Sequence, residues 1–127
     1  NGHVNNVEYL RWMQDAAIRH SEASGCTAAT NAAGATWVVR KHKIVYLKPA
    51  FAGDRVVVCT WVANLRRVQT LRKYKIFRKD DLALLARGET EWVFVDAQKG
   101  TLRSIPQDVK DSFEVLPEGQ EGNFFEL

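Results

Sequence analysis

One long helical pattern followed by four long strand patterns is the feature that most constrains how this chain can fold. Apolar residues recur at spacings of three and four through residues 5–24, and this spacing predicts a single amphipathic helix. The apolar stripe comprises Val7, Tyr9, Leu10, Trp12, Met13, Ala16 and Ala17. Asn5 and Asn6 are candidate N-caps, and Gly25 can end the helix because glycine adopts the left-handed conformation readily. The alanine-rich stretch 28–34 fits either a second short helix or a loop.

From Thr36 onward the chain is rich in the β-branched and aromatic residues that favour strands. Four strands are predicted near residues 36–48, 54–65, 68–79 and 82–97. Turn-forming residues such as Pro, Gly and Asp mark breaks at residues 49–54, 79–81 and 96–100. One long helix followed by sequential strands predicts an α+β fold, in which a curved antiparallel sheet wraps around the helix.

Two of the predicted strands show how the sheet is covered. In the last strand, polar residues such as Arg87, Glu89 and Glu91 share one face. The opposite face carries Leu82, Leu84, Ala86, Gly88, Thr90, Trp92 and Phe94. In the strand 54–65 both faces are largely apolar, which predicts the helix on one side and a second subunit on the other.

Length and composition limit the class of protein. The 127 residues fit one domain, which we place at residues 1–116, with a flexible C-terminal tail at 117–127. Pro106 begins a short amphipathic helix within that domain. No apolar run approaches the roughly 20 residues that cross a bilayer, and no signal-peptide pattern is visible, so we expect a cytoplasmic protein. Cys26 and Cys59 form no CxxC pair, which argues against a disulfide framework or a zinc cluster.

Charge and histidine spacing bear on nucleic-acid and metal binding. The formal net charge of +3 permits an anionic ligand without requiring nucleic acid. A basic run interleaved with aromatic residues is typical of a nucleic-acid surface, but lysines that protect the edge of a sheet explain it as well, and we favour that hypothesis. The run comprises Arg72, Lys73, Lys75, Arg78 and Lys79. His20 and His42 have no ligand spacing with each other or with cysteine, so no metal site is predicted.

The start of the chain resembles a known family. Residues 1–12, NGHVNNVEYLRW, resemble the beginning of the central helix in hot-dog-fold acyl-CoA thioesterases. The 4-hydroxybenzoyl-CoA thioesterase family is the most similar, with plant-type acyl-carrier-protein thioesterases as relatives. Residues 46–50, YLKPA, followed by Gly53 and Asp54, resemble the second and third strands of the family. The resemblance covers about residues 1–105 and implies a hot-dog fold whose first strand lies upstream, so we expect this sequence to be a fragment.

The resemblance implies a thioesterase site at the start of the helix. Thioester hydrolysis needs a carboxylate as base or nucleophile, and donors for the developing oxyanion. By the family's pattern, the backbone N–H of Asn6 polarises the carbonyl, and the catalytic Asp lies two residues before the position of Asn1. Asn1 and His3 match residues implicated in catalysis in the plant-type relatives, and Gly2 lets the backbone approach the substrate.

Each of these residues also has a simpler interpretation. His3 and the asparagines fit capping or loop roles, and for Asn5 capping is the better hypothesis. Glu8 is interpreted as an ordinary carboxylate near a helix N-terminus rather than a catalyst.

Further along the chain, Arg66 and Arg67 match a basic cluster that binds the nucleotide phosphates of coenzyme A in the 4-hydroxybenzoyl-CoA branch. A solvated, charged hairpin explains the same two residues equally well. The plant-type relatives carry an acidic or Cys residue where Pro49 and Ala50 stand, which favours coenzyme A over a carrier protein.

Taken with the resemblance, these residues predict an acyl-CoA thioesterase that needs no metal or redox cofactor. We expect a homodimer or a dimer of dimers with active sites between subunits, and neither nucleic acid nor membrane as a partner. A hot-dog module that binds acyl-CoA without hydrolysing it, as a sensor or an accessory subunit, is the alternative. A hot-dog dehydratase is less favoured because its Asp-plus-His pattern is not evident in the sequence.

Overall fold

The long helix predicted from the apolar spacing is present as α1, Asn6–Ser24, in a computed structural model that describes residues 2–116. Asn5 lies in an extended conformation before α1, and its side-chain oxygen accepts the N–H of Val7 at 3.0 Å. Gly25 follows the helix at a φ of 89°, a left-handed conformation that strains residues with a side chain. Both predicted ends are confirmed, with Asn5 rather than Asn6 as the N-cap.

Two short helices and four strands make up the other regular elements of the described chain. They are α2 Cys26–Ala32, β1 Ala35–Tyr46, β2 Val56–Leu65, β3 Gln69–Arg78, β4 Leu84–Asp96 and α3 Gln107–Asp111. The alanine-rich stretch 28–34 is therefore helical as far as Ala32, and its last two residues form a turn. All four predicted strands are confirmed to within two residues at either end. None of the helices in the described part of the chain is both long and apolar enough to cross a membrane.

The turn before β4 corrects one prediction. The alternation of the last strand includes Leu82, but this residue has a φ of 58° and lies in the turn. Two backbone hydrogen bonds close that turn, from Leu82 N to Arg78 O at 2.8 Å and from Arg78 N to Ala83 O at 2.9 Å. Because these bonds shape a tight connection, β4 begins two residues later than predicted.

The four strands form one antiparallel sheet in the order β1-β4-β3-β2. Among the described strands, β1 and β2 are therefore the edges and β3 is interior. The prediction that the lysines of β3 protect an edge is wrong, since Lys73 and Lys75 lie between two paired strands, opposite Glu89 and Arg87 on β4. The order of strands depends on pairing between distant segments, which a basic run along one strand does not reveal.

Helix α1 packs across one face of this sheet. Its contact residues Tyr9, Met13 and Ala17 recur every four positions and are all buried. Gly88 in β4 permits the close approach, because a Cβ at that position would lie 2.8 Å from Cε of Met13. The same core includes Ala50, Tyr74, Ile76, Leu85 and Ala86. The predicted α+β arrangement, with a long helix against an antiparallel sheet, is confirmed.

The two faces of β2 differ in exposure only near the start of the strand, since Trp61, on the same face as Val57, is buried. Val56 and Val58 pack against the core beneath α1, as predicted. Val57, between them on the opposite face, is 38% exposed. Cover of that opposite face by a second subunit stays a prediction.

A second, smaller core joins α2 and α3 to the ends of β1 and β4. Its buried members are Cys26, Ala35, Phe94, Ile105 and Val109. Trp37 and Phe113 pack against this cluster while partly buried. Cys26 is buried and Cys59 half-buried, and both are free thiols. The predicted tail at 117–127 lies outside the described residues.

Candidate active site at the start of the long helix

The residues that lead into α1 form a short strand-like contact with the loop between β1 and β2. Val4 N donates to Ala50 O at 2.8 Å, and Ala52 N donates to Gly2 O at 3.0 Å. His3 lies opposite Phe51 in an isolated antiparallel bridge. We call residues 2–5 the leading segment. Backbone pairing thus fixes its direction and aims it at the first turn of α1.

The loop that holds the leading segment is itself braced by polar side chains. Asp54 Oδ2 accepts the N–H of Phe51 at 2.9 Å and a hydrogen bond from Arg78 Nε at 3.3 Å. Arg78 also donates to Pro49 O at 3.0 Å and pairs with Asp81 at 2.9 Å. The neighbouring carboxylates raise the pKa of Arg78, first through the hydrogen bond that Arg78 donates to Asp81. The Gly-Asp turn noted in the sequence therefore serves to shape this loop.

Tyr9 ties the loop to the helix. Its hydroxyl accepts the N–H of Ala50 at 3.0 Å in a fully buried position. Its ring meets Trp12 and Tyr46 edge to face, with centroids 5.0 and 5.2 Å away. In the sequence, Tyr9 was assigned only to the apolar stripe of the helix. Its hydroxyl could have indicated this contact with the loop, because a buried tyrosine hydroxyl normally has a hydrogen-bond partner.

Asn6 is the first residue of α1, and its side chain is exposed. The next two N–H groups of the helix are satisfied by Asn5, whose side chain accepts from Val7 and whose carbonyl accepts from Glu8 at 2.9 Å. Within residues 2–116, the N–H of Asn6 has no hydrogen-bond acceptor. A first-turn N–H combined with the positive end of the helix dipole suits an oxygen that gains negative charge.

The other residues predicted for the site differ in their positions and contacts. His3 is exposed and its ring lies edge-on to Phe51, with centroids 5.4 Å apart. Gly2 has a φ of 77°, and open space surrounds the position where a Cβ would stand, so its glycine meets a conformational need rather than a steric one. Asn1 lies outside the described residues. Glu8, the one carboxylate of residues 2–9, pairs with Arg11 at 3.4 Å on the helix surface.

Arg66 and Arg67 lie in the turn between β2 and β3, and both are exposed. Arg66 N donates to Gln69 O at 2.8 Å, and Arg67 Nη1 donates to Ser104 Oγ at 3.0 Å. The leading segment contacts the loop that precedes β2, whereas these arginines follow β2. A ten-residue strand is about 33 Å long when extended, so the structure does not bring the arginines and the leading segment together within one chain.

The remaining histidines are engaged by neighbours. His42 Nδ1 lies 2.8 Å from Thr90 Oγ1, and His20 Nδ1 lies 2.9 Å from Arg72 Nη1. Burial lowers the pKa of His42. Burial first, and the Arg72 guanidinium second, lower the pKa of His20. Across residues 2–116 there is no group of three His, Cys, Asp or Glu side chains that could hold a metal ion.

Comparison with known proteins gives this geometry a context. A family model described as the thioesterase-like superfamily matches residues 1–113. The chloroplastic palmitoyl-acyl carrier protein thioesterase of Gossypium hirsutum is 26% identical over 112 residues, which is 83% of this chain and 27% of that protein. The chain thus spans about a quarter of the length of the curated relatives it matches.

Solved structures share the fold. The probable thioesterase YbaW from Escherichia coli matches with a TM-score of 0.79 at 20% identity, over 87% of this chain and 84% of that one. A Thermus thermophilus thioesterase complexed with coenzyme A and Zn matches with a TM-score of 0.73 at 23% identity, over 88% of this chain and 79% of that one. These likenesses confirm the predicted hot-dog fold.

Proposed function

The chain belongs to the thioesterase-like superfamily, and on that premise we propose that it hydrolyses the thioester of an acyl-CoA to a free acid and coenzyme A. The observation that carries the proposal is the Asn6 N–H at the start of α1, which has no acceptor within residues 2–116. The coenzyme A bound by the T. thermophilus neighbour supports the choice of substrate class. The plant relatives act on acyl carrier protein, and that carrier is the alternative substrate to test.

The proposed step follows from this geometry. Water adds to the carbonyl carbon and gives a proton to a base, the C–S bond breaks, and the base returns that proton to the sulfur, so that coenzyme A leaves as the thiol. As negative charge develops on the carbonyl oxygen, the Asn6 N–H and the dipole of α1 stabilise it. His3 and Asn1 orient the substrate or the water, and Gly2 lets the backbone approach the thioester. The family's pattern assigns the base to an Asp two residues before Asn1.

We also propose that two copies of the chain form the working site. Arg66 and Arg67 lie at the far end of β2 from the leading segment, so both can serve one substrate only if a second copy supplies the arginines. The described edge strand β1 supports such an assembly, because Val38 and Val39 on it are 44% and 39% exposed. In this arrangement the two arginines hold the phosphates of coenzyme A through paired N–H groups.

Free-thiol release from a panel of acyl-CoA and acyl-carrier-protein thioesters tests the proposal. The chain is assayed beside a version extended upstream to include the expected Asp. Turnover by the extended chain alone supports the upstream Asp as the base. Turnover by both chains assigns the base to a residue within this sequence, and His3 is then the first candidate. Turnover of carrier-protein substrates alone would replace coenzyme A as the substrate.

A binding module without hydrolysis is the second candidate. It is favoured by one observation, that Glu8 is the one carboxylate of residues 2–9 and already pairs with Arg11. Tight binding of a non-hydrolysable acyl-CoA, without thiol release by the extended chain, would select it.

Light scattering tests the assembly. Val38→Lys and Val39→Lys place charges on the β1 edge, and we expect them to convert a dimer to monomers and to abolish turnover together. Leu102→Lys, at a residue that is 62% exposed and lies outside β1 and β2, is the matched control. A wild-type monomer that hydrolyses thioesters at full rate would contradict the two-copy site.

A further inference from the structure

A cavity of about 260 Å³ lies between the C-terminal half of α1, helix α2 and the sheet. Apolar and aromatic side chains, among them Ala17, Trp37, Trp92 and Phe113, make up the larger part of its wall area, and Glu22 of α1 is the one carboxylate among the lining residues that the structure describes. Thr30 and Thr70 add hydroxyl groups to the lining. Ala17 follows Asn6 by eleven positions, which is about 17 Å along a helix, so this cavity is separate from the leading segment.

A buried guanidinium lines the cavity. Arg72 comes from β3, and only 3% of its surface is exposed. Its Nη1 donates to His20 Nδ1 at 2.9 Å and to Thr60 Oγ1 at 3.0 Å. Its Cζ lies 5.4 Å from the centre of the Phe113 ring. All of these partners are uncharged. Arginine only donates hydrogen bonds, so Nδ1 of His20 must be the unprotonated nitrogen of a neutral imidazole.

No carboxylate within residues 2–116 pairs with Arg72. In contrast, Arg11, Arg55, Arg78 and Arg103 each pair with an Asp or Glu. Burial of a charge without a counter-ion is costly, and burial accordingly lowers the pKa of Arg72. The guanidinium nevertheless stays charged, because arginine is not deprotonated in proteins.

The guanidinium of Arg72 has more N–H groups than hydrogen-bond acceptors around it. A guanidinium has five N–H groups in a fixed planar fork. Nη1 of Arg72 serves His20 and Thr60, while Nε and Nη2 have no acceptor among the residues that the structure describes. A carboxylate matches such a fork with two parallel hydrogen bonds and supplies the opposite charge. The aromatic walls match an apolar body attached to it.

We propose that this cavity binds a small organic carboxylate, an aromatic or short aliphatic acid whose carboxylate pairs with Arg72 and whose apolar body lies against Trp37 and Trp92. The ligand neutralises the buried charge, and Thr30 and Thr70 provide additional polar contacts at the cavity wall. The site is independent of thioester hydrolysis, because it uses none of the residues of the leading segment.

Calorimetry and NMR on the wild-type chain give the first test, with benzoate and hexanoate as ligands and benzamide and hexanamide as neutral controls of the same shape. We expect saturable binding of the acids at a single site, with shifts of the Trp37 and Trp92 indole N–H signals. The amides should bind at least about tenfold more weakly, since they lack the charge that pairs with a guanidinium. Equal binding of acids and amides, or no saturable binding of either acid, would overturn the proposal.

Variants give the second test. Arg72→Met keeps the length of the side chain but removes the charge, and we expect benzoate affinity to fall at least about tenfold. Arg78→Met removes an arginine that already has Asp54 and Asp81 as partners, and benzoate affinity should not change. Near-UV circular dichroism checks that each variant is folded. Should Arg72→Met fail to fold, the acid–amide contrast and the indole shifts on the wild-type chain still decide the question.

A third variant separates the two ends of α1. Asn6→Pro removes the N–H proposed for thioester hydrolysis and leaves the cavity unchanged, so benzoate should bind it as tightly as it binds wild type. Loss of benzoate binding in Asn6→Pro would assign the acid to the leading segment and overturn the cavity site. Loss of thioester turnover with intact benzoate binding would support both proposals separately.

Discussion

The two ends of α1 are built in opposite ways. The N-terminal end is exposed, and its chemistry resides in backbone N–H groups of a contiguous motif. Near the C-terminal half, the buried side chain of Arg72 comes from β3, and the surrounding wall is drawn from α1, α2, all four strands and the segment after α3. A site made of backbone N–H groups from one motif can be found in a short stretch of sequence. A site made of side chains from several elements exists only after the sheet has formed.

The ends also differ in solvation. An exposed N–H is hydrated until a substrate displaces water, so leaving it without a protein acceptor costs little. A buried guanidinium has little access to water, so its spare donors matter for stability as well as for binding.

The largest expected effect is on turnover at the exposed end. Asn6→Pro removes one N–H at the first position of the helix, where proline is tolerated. The extended conformation of Asn5, at φ −65° and ψ 142°, also suits a residue before proline. We expect kcat to fall about 10²–10³-fold, as for loss of an oxyanion donor, with the melting temperature little changed.

Asn6→Ala keeps the N–H and removes only the side chain, so it is the matched control for Asn6→Pro. Steady-state thiol release by both variants, in the extended chain, decides the matter. Equal loss in both would assign the effect to the Asn6 side chain and contradict the backbone role.

The next effect concerns the tie between the loop and α1. Tyr9→Phe removes the hydroxyl that accepts the Ala50 N–H and leaves a buried donor without a partner. We expect the free energy of unfolding to fall by about 1–3 kcal/mol, measured by urea denaturation. Tyr46→Phe, at a residue that is 44% exposed, is the control and should change stability by well under that amount. Equal destabilisation by the two variants would show that the Tyr9–Ala50 hydrogen bond contributes no more to stability than the exposed hydroxyl of Tyr46.

A pH effect is expected at the buried end. Burial and Arg72 lower the pKa of His20 in the folded chain below its ordinary value of 6.5. Between that lowered pKa and 6.5 the unfolded chain binds more protons, so stability is lost as the pH falls through this window. His42 acts in the same direction, because burial lowers its pKa too. Urea midpoints measured from about pH 7.5 to 4.5 should therefore decrease toward acid.

His20→Asn identifies the share of this pH effect that belongs to His20. Its amide oxygen can still accept from Arg72 but does not titrate, so the decrease toward acid should be shallower than in wild type. An unchanged slope in His20→Asn would show that other groups produce the acid sensitivity.

The smallest effect is expected at Glu8. Its exposed pair with Arg11 spans one helical turn, and such pairs contribute about 0.2–0.5 kcal/mol. Glu8→Gln should therefore leave turnover within about twofold and stability within that range. A loss of turnover comparable to that of Asn6→Pro would identify the Glu8 side chain as the base.

Much of the fold could be predicted from the sequence because its signals are local. The apolar spacing around Tyr9, Met13 and Ala17 predicted α1, and Asn5 and Gly25 predicted its ends. The strands followed from β-branched and aromatic runs. The position of Leu82 was missed because two hydrogen bonds across the turn, and not its apolar character, decide where β4 begins.

Less of the candidate site could be predicted. The motif indicated the helix start, yet neither the pairing of the leading segment with Ala50 and Ala52 nor the hydroxyl of Tyr9 could be inferred from it. Arg72 was grouped with its basic neighbours, because adjacent residues of a strand look alike in sequence while pointing to opposite faces. Lys73 is half-buried, whereas Arg72 is buried.

By itself the sequence determined the helix, the strands and the helix cap, since each depends on residues within a few positions of one another. Contacts between distant segments place β3 in the interior of the sheet, put Arg66 and Arg67 at the far end of β2 from the leading segment, and bring a guanidinium to the wall of a cavity beside α1. The reason is physical. Strand order and burial arise from contacts between residues far apart in the chain, and those contacts set the neighbours and solvation of every charge.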